Sequence, residues 1–231
     1  MIDFHSHILP AIDDGSKSLE QTENMLRLSW EQGVRHQVVT PHFYADEMVP
    51  EDFLENRQQA YEQVLTLEGD LPEIHLGAEV AYFSGISRSE TMQKLQIGKS
   101  GLLLVEMPFA AWTDRVVKDV CQLLDRQGLT PVLAHVDRYA NRSCFLKYRD
   151  MLLHSGVLFQ LNASALLARP DRRFALKQLK AGTIHFLGSD CHNTTTRTPN
   201  LGEAVQVIQK KIGDFAIQDI MDFSAQALGV L

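Results

Sequence analysis

The sequence predicts one α/β domain built on a mostly parallel, barrel-type sheet, and three observations carry that expectation. Short apolar runs alternate seven times with helix-like stretches along the 231 residues, the pattern of parallel strands joined by crossover helices. No Pro, Gly or Ser-rich linker interrupts the alternation, so residues 1–231 read as a single domain. Finally, His5, His42, Glu79, Glu106, His135 and Asp190 stand at, or just after, the C-terminal ends of different expected strands. A barrel exposes its chemistry there, because its loops converge over one open face. A doubly wound sheet gathers its site at a switch point and has less use for nearly every strand.

The elements follow in order. Residues 1–5 make the first strand, and 18–32 a helix with Leu19, Met25 and Leu26 near one face and Gly33 as its stop. Strand 36–40 runs into Pro41-His42, helix 51–67 follows, and 74–80 is the third strand. A Ser-rich passage and a helix near 89–97 lead to strand 102–106, after which Pro108 breaks regular structure. The chain then alternates helix 114–127, strand 131–135, helix 143–155, strand 157–161, helix 171–181 and strand 183–189. Helices 201–212 and 217–228 close it.

Composition narrows the function classes. The chain is 45% hydrophobic, enough for a substantial core. It lacks an apolar run near the roughly eighteen residues of a membrane span. The start, MIDFHSH, lacks the basic-then-apolar pattern of a secretory signal, so the default expectation is a cytoplasmic enzyme. Three cysteines are too few and too unevenly placed for a disulfide framework. A net charge of -7 argues against general affinity for nucleic acid. Divalent cations would reverse the local balance at a carboxylate cluster.

His5-Ser6-His7 is the strongest short motif: residues two apart in extended chain point to one side, so both imidazoles can meet one metal. The bland alternative is two polar histidines near a terminus. Asp13-Asp14-Gly15 follows with a carboxylate and a bend, and spacing alone does not choose between the aspartates. His42, Glu79, Glu106 and His135 each end or follow an apolar strand. A carboxylate there often marks only where the chain reaches water, yet several converging on histidines would offset the cost of burial. Asp190 and His192 flank Cys191 and can face one side. Mixed imidazole and carboxylate donors suit Mn, Fe or Zn better than magnesium, and nine candidates exceed the need of one ion. His36, His75, His154 and His185 complete no comparable set and read as structural or surface residues.

Arg138 and Arg197 offer rigid donor forks for phosphoryl oxygens, or else surface partners for acidic side chains. Tyr139 could stack on a substrate ring or pack beside its strand, and Asn162 could hold water in the site. A rival lies in the same segment: Cys191 and Arg197 have the minimal Cys-x5-Arg spacing of thiol-dependent tyrosine phosphatases. The intervening His-Asn-Thr-Thr-Thr has no glycine-rich cradle, which disfavours that mechanism.

Taken together, these motifs resemble the PHP metal-dependent phosphoesterase superfamily, and within it the bacterial tyrosine phosphatase branch associated with capsule and exopolysaccharide synthesis. The resemblance spans nearly the whole chain. It rests on Met1 to His7, Asp13-Asp14-Gly15, Gln32-Gly33-Val34, Gly77-Ala78-Glu79, Glu106, Thr130 to His135, Arg138-Tyr139 and Ser189 to Asn193. It implies a distorted seven-stranded β/α barrel, TIM-like in plan, with a centre of two or three ions, usually manganese, with iron or zinc as alternatives. The implied ligands are His5, His7, Asp14, His42, Glu79, Glu106, His135, Asp190 and His192, with Arg138 and Arg197 on phosphate. The family pattern His-x-Glu-Arg-Tyr is departed from at Asp137, a shorter carboxylate.

The expected reaction is hydrolysis of phosphotyrosine by activated water, with no side-chain nucleophile, and with His42 or a water as general acid. The implied partner is the phosphotyrosyl tail of a membrane-associated bacterial tyrosine kinase. That places the chain in the cytoplasm near the inner face of the membrane. Self-association is compatible with its long helices, whose apolar faces barrel packing also explains. A small phosphate monoester such as histidinol phosphate is the nearest alternative substrate, and a metal-binding scaffold without turnover is the reading from a different class.

Overall fold

The computed structural model describes residues 1–230. Nine parallel-paired strands form a curled half-barrel: β1 (Ile2–Asp3), β2 (His36–Val39), β3 (His42–Phe43), β4 (Glu73–Leu76), β5 (Glu79–Ala81), β6 (Leu102–Glu106), β7 (Thr130–Leu133), β8 (Leu158–Asn162) and β9 (Phe186–Gly188). They fall into a three-stranded sheet, β1-β2-β4, and a six-stranded sheet, β3-β5-β6-β7-β8-β9. Among the described residues eight α-helices accompany them: α1 (Leu19–Glu31), α2 (Pro50–Val64), α3 (Asp114–Gln127), α4 (Ser143–His154), α5 (Ala163–Leu167), α6 (Arg169–Lys180), α7 (Leu201–Lys211) and α8 (Asp214–Leu228).

The strand count departs from seven because a further strand forms just after the expected strand 36–40 and the expected strand 74–80 divides between the two sheets. The chain after β2 breaks at Thr40-Pro41, where proline donates no ladder hydrogen bond, and resumes as β3. Likewise β4 ends at Gly77-Ala78 before β5. At Gly77 a side chain would meet Ile97 at 2.9 Å, so this close approach requires glycine. The ends of the sheets meet through backbone bonds: Phe4 N–H to Leu187 at 3.0 Å, Asp190 N–H to His5 at 2.8 Å, and His7 N–H to Cys191 at 2.9 Å.

The helices start where local chemistry favours them. Ser18 caps α1 by accepting the Gln21 N–H at 3.2 Å. Thr113 caps α3, which stops at Gly128 in the left-handed region. The segment expected as a helix near 89–97 is a 3-10 turn run over Glu90–Leu95, whose buried Met92 and Leu95 keep that helix's three-residue period. Short α5 escapes sequence reading because five residues show too little periodicity. Helix α6 begins two residues later at Arg169, with Pro170 in its first turn.

Alternation along the strands divides the core into two layers. Leu102 and Leu104 of β6 and Val132 of β7 face an inner cluster with Phe4, Val38 and Phe186, against which α8 lays Met221, Ala225 and Leu228. Leu103, Val105 and Leu133 face outward into the larger cluster beneath the helices. The Phe4 and Phe186 rings stack at 3.7 Å across the junction of β1 and β9. Phe186→Ala should therefore destabilise the protein by about 3–5 kcal/mol. A urea midpoint unchanged from wild type would show that this junction contributes little.

Candidate metal centre

The site is assembled at the C-terminal ends of the strands, around the buried carboxylate of Glu79. Strand register puts His42 directly opposite Glu79. Glu106 follows Leu102 and Leu104 on the inner parity of β6, so it continues the same face past the apolar core. Four imidazoles reach the Glu79 carboxylate: His7 at 3.1 Å, His5 and His42 at 3.2 Å, and His135 at 2.8 Å. His135 also lies 3.3 Å from Glu106. The expected His5/His7 pair converges, with Nε2 atoms 3.1 Å apart, while the hydroxyl of the intervening Ser6 donates away to Val38 at 2.8 Å.

Two of these residues reach the site through unusual backbone. Strict alternation would send His135 outward with Leu133, but φ 34° and ψ 57° turn it into the site. Asp190 has φ 53°. Left-handed conformations cost roughly 1–2 kcal/mol for non-glycine residues, and here both coincide with the residues carrying the chemistry. Gly188 lets the last strand approach: a side chain there would fall 2.5 Å from the His5 Cβ.

The structure separates the two aspartates that spacing leaves undecided. Asp13 turns to the far side of His7, accepting from Nδ1 at 2.6 Å and from the His42 backbone N–H at 3.0 Å. Asp14 faces the centre, 3.2 Å from His192 Nε2 and 3.7 Å from His42 Nε2. Asp190 stands 3.5 Å from His7 and 3.7 Å from both His5 and His192. All nine expected ligands are thus brought together. They divide into overlapping groups: His7, Asp14, His42 and His192; His5, His7 and Asp190; and His42, Glu79 and Glu106.

Arg138 and Arg197 both reach Asp190. Arg138 bonds its Oδ2, and Arg197 Nη2 lies 2.7 Å from Oδ1. Each arginine keeps about a third of its side chain exposed at the mouth of the site. A cavity of about 340 Å³ opens at Asp14 and His42, lined also by Asp13, Glu47 and the apolar or aromatic Ile12, Phe43, Tyr44, Met48 and Phe53.

Behind the centre lies a supporting tier that sequence reading largely passed over. Gln160 accepts from the His135 backbone N–H at 2.7 Å and bonds His5 Nδ1 at 3.0 Å. Asn162 donates to Asp190 at 2.8 Å rather than simply holding water. Its own N–H is accepted by Asp137 at 2.9 Å, which gives the shortened carboxylate a backbone role. The signal was present: Gln160 and Asn162 are polar residues two apart on an otherwise apolar strand. Tyr139 is fully buried, its hydroxyl donating to Met107 at 2.7 Å, so it packs and does not meet substrate.

The electrostatics fit cations. Burial alone would lower the His7 pKa, yet its bonds to Asp13 and Glu79 hold it up at about 10. Burial likewise opposes protonation of His135, but Glu106 and Glu79 raise it to about 9. His192 goes the other way, to about 4, through burial and the positive His7 and Arg197. Burial would raise the Glu79 pKa, but the surrounding histidines hold its carboxylate well below the usual range. His42 Nδ1 and His192 Nε2 are buried without a hydrogen-bond partner among the described residues, each 3.2 Å from a carboxylate oxygen. Orphaned ring nitrogens beside carboxylates are what ion ligation would satisfy. The donor set therefore fits a group of divalent ions.

Comparison with known proteins agrees with this geometry. The family model for capsular polysaccharide synthesis proteins CpsB/CapC matches residues 1–228. The chain belongs to this family. It is 31% identical over 229 residues to the tyrosine-protein phosphatase YwqE of Bacillus subtilis, covering 92% of this chain and 85% of YwqE. Identity is again 31% to the tyrosine-protein phosphatase CpsB of Streptococcus pneumoniae, covering 92% of this chain and 91% of CpsB. A structure from the crystallographic work on YwqE and CpsB, described as metal-dependent tyrosine phosphatases, superposes with a TM-score of 0.84 at 26% identity, covering 100% of this chain and 95% of that one. The Escherichia coli phosphotriesterase homology protein shares the fold at a TM-score of 0.58 and 11% identity, with 97% of each chain covered.

Within this CpsB/CapC chain, Cys191 is fully buried and its thiol is pushed well above the ordinary range by burial, with Asp3 adding to the effect. That environment is the opposite of an activated thiolate's. Asp13 stands behind His7, in the position carboxylates commonly take behind histidines that ligate a metal. Asp13→Asn should weaken divalent-ion affinity about 10–100-fold, read by competition with a chromophoric chelator. Unchanged affinity would assign Asp13 to loop structure alone.

Proposed function

We propose that this chain is a metal-dependent phosphatase acting on phosphotyrosine in proteins. Its biological substrate is the tyrosine-rich tail of a bacterial tyrosine kinase in capsule or exopolysaccharide synthesis. The observation that carries the reading is the convergence of nine nitrogen- and oxygen-donor residues with two arginines at one open strand-end face. Family membership and the names of the relatives supply the substrate class. The mixed donors favour manganese, in two or three ions, over magnesium, with iron or zinc as alternatives.

In this reading the ions are held by His5, His7, Asp14, His42, Glu79, Glu106, His135, Asp190 and His192. Bound divalent ions would activate water and neutralise charge on the phosphoryl group. Arg138 and Arg197 bind phosphoryl oxygens with their exposed forks, while Asp190 orients both guanidiniums from behind. The apolar wall of Ile12, Phe43, Tyr44 and Phe53 offers a phenyl ring a place to rest beside the centre. His42 serves here as a ligand rather than as the acid, since its Nδ1 faces Glu79 and burial lowers its pKa. The leaving phenolate needs less help from an acid than an alkoxide would.

The same reading takes the fold as a distorted barrel of seven staves in one domain, counting 36–43 and 73–81 once each. The backbone bonds between 4–7 and 187–191 support it. No helix among the described residues is long and apolar enough to cross a membrane. Action in the cytoplasm beside the membrane would follow from where such a kinase sits.

Metal-stripped protein should be inactive on a phosphotyrosyl peptide and recover with Mn²⁺, with little turnover of phosphoseryl peptide or histidinol phosphate. Preference for histidinol phosphate would keep the chemistry and reject the substrate. Arg138→Ala and Arg197→Ala should each lower kcat/KM by about 10²-fold or more. Cys191→Ser should stay active, and its loss of activity in a folded, metal-loaded protein would revive the thiol mechanism.

A further inference from the structure

A second donor cluster lies on β2 and β4, the strands that precede in the chain those carrying His42 and Glu79. Strands β2 and β4 pair in parallel, with His36 opposite Glu73 and Val38 opposite His75. Registered partners share a face, and so do residues two apart on one strand, so His36, Glu73 and His75 project from one side of the pair. Their donor atoms converge there. His36 Nδ1 is 3.2 Å from His75 Nε2 and 3.5 Å from Glu73 Oε2, and His75 Nε2 is 3.9 Å from Glu73 Oε1.

We propose that His36, Glu73 and His75 form a separate binding site for one transition-metal dication of the zinc, nickel or copper type. Two imidazole nitrogens on a tetrahedral zinc, each at about 2.0–2.1 Å, stand about 3.3 Å apart, which is the separation seen across the two strands. Imidazole with one carboxylate selects these borderline ions over magnesium or calcium. Two neutral rings and one carboxylate leave the ion a single net positive charge, which the nearby solvent tolerates. The histidine side chains are 25% and 13% exposed and that of Glu73 is 64% exposed, so an ion can enter and water can complete its shell.

This site is independent of the hydrolytic reading. His36 precedes His42 by six residues, and Glu73 precedes Glu79 by six, so at about 3.3 Å per residue the two places lie roughly 20 Å apart along the strands. Neither arginine of the phosphate site belongs to it. Its role is to clip the starts of β2 and β4 together.

The competing account of the 3.2 Å contact is a plain N–H···N hydrogen bond between strands. To separate the two, the full chain, with its catalytic centre saturated in Mn²⁺, is titrated with Zn²⁺ against a chromophoric chelator. His75→Gln and the solvent-side Glu73→Gln are run in parallel. Far-ultraviolet circular dichroism and hydrolysis of a phosphotyrosyl peptide check that the variants remain folded and active. Wild type should bind one more equivalent of Zn²⁺ than His75→Gln, and Glu73→Gln should bind that equivalent at least tenfold more weakly. Equal stoichiometry and affinity in all three proteins would overturn the proposal and leave the pair as a hydrogen bond.

Discussion

The buried carboxylate of Glu79 is the constraint around which the rest of the site is arranged. At 1% exposure it has exchanged water for four imidazoles within 3.2 Å. An isolated buried carboxylate would protonate rather than stay charged. Surrounded by histidines, it stays charged and becomes a point where positive charge, on rings or on ions, is strongly favoured. The strands β1, β3 and β5, with the turn after β7, must therefore end at one level, because each supplies a group to this carboxylate. The placement of Glu79 is in turn possible only because Gly77 lets its strand pass close to Ile97.

Asp190 is the second anchor and links the histidine cluster to the two arginines. One of its oxygens lies among His5, His7 and His192, while the pair together hold Arg138 and Arg197. Burial would raise its pKa, but His5, His7 and Arg138 hold it down, so it remains an anion. Rotation of Asp190 would misplace both guanidiniums together, and Asn162 braces it against that. Asp13 and Gln160 do the same for the histidines by fixing the ring nitrogens that face away from the centre. Preorganised donors of this kind avoid reorganisation when phosphoryl charge develops.

Much of this plan was legible in the residues themselves. The alternation of apolar runs gave the element order, and the polar residue ending each run gave the face on which chemistry gathers. Boundaries differ where local signals are weak: the 3-10 run at Glu90–Leu95 has a helix-like pattern, five-residue α5 has too little length to show a period, a short extra strand follows Pro41, and strand 74–80 divides at Gly77. Gln160 was passed over because a glutamine in an apolar strand has many bland explanations. Only the neighbours it meets distinguish it.

The chain order of donors and the apolar periods are properties of the sequence, and they were enough to indicate an α/β fold on a mostly parallel sheet with metal-binding donors at its strand ends; the resemblance of the motifs supplied the phosphatase chemistry. Which of Asp13 and Asp14 faces the donor cluster was not legible there, because adjacent residues in a turn are equivalent until the loop packs against His7. Nor was the inward turn of His135, since strand alternation predicts the reverse and only its left-handed backbone overrules it. The pairing of His36 with His75 depends likewise on β2 and β4 lying in register across 39 residues of chain. A side chain's type is local information. Its partners are set by long-range packing, and tertiary structure alone decides them.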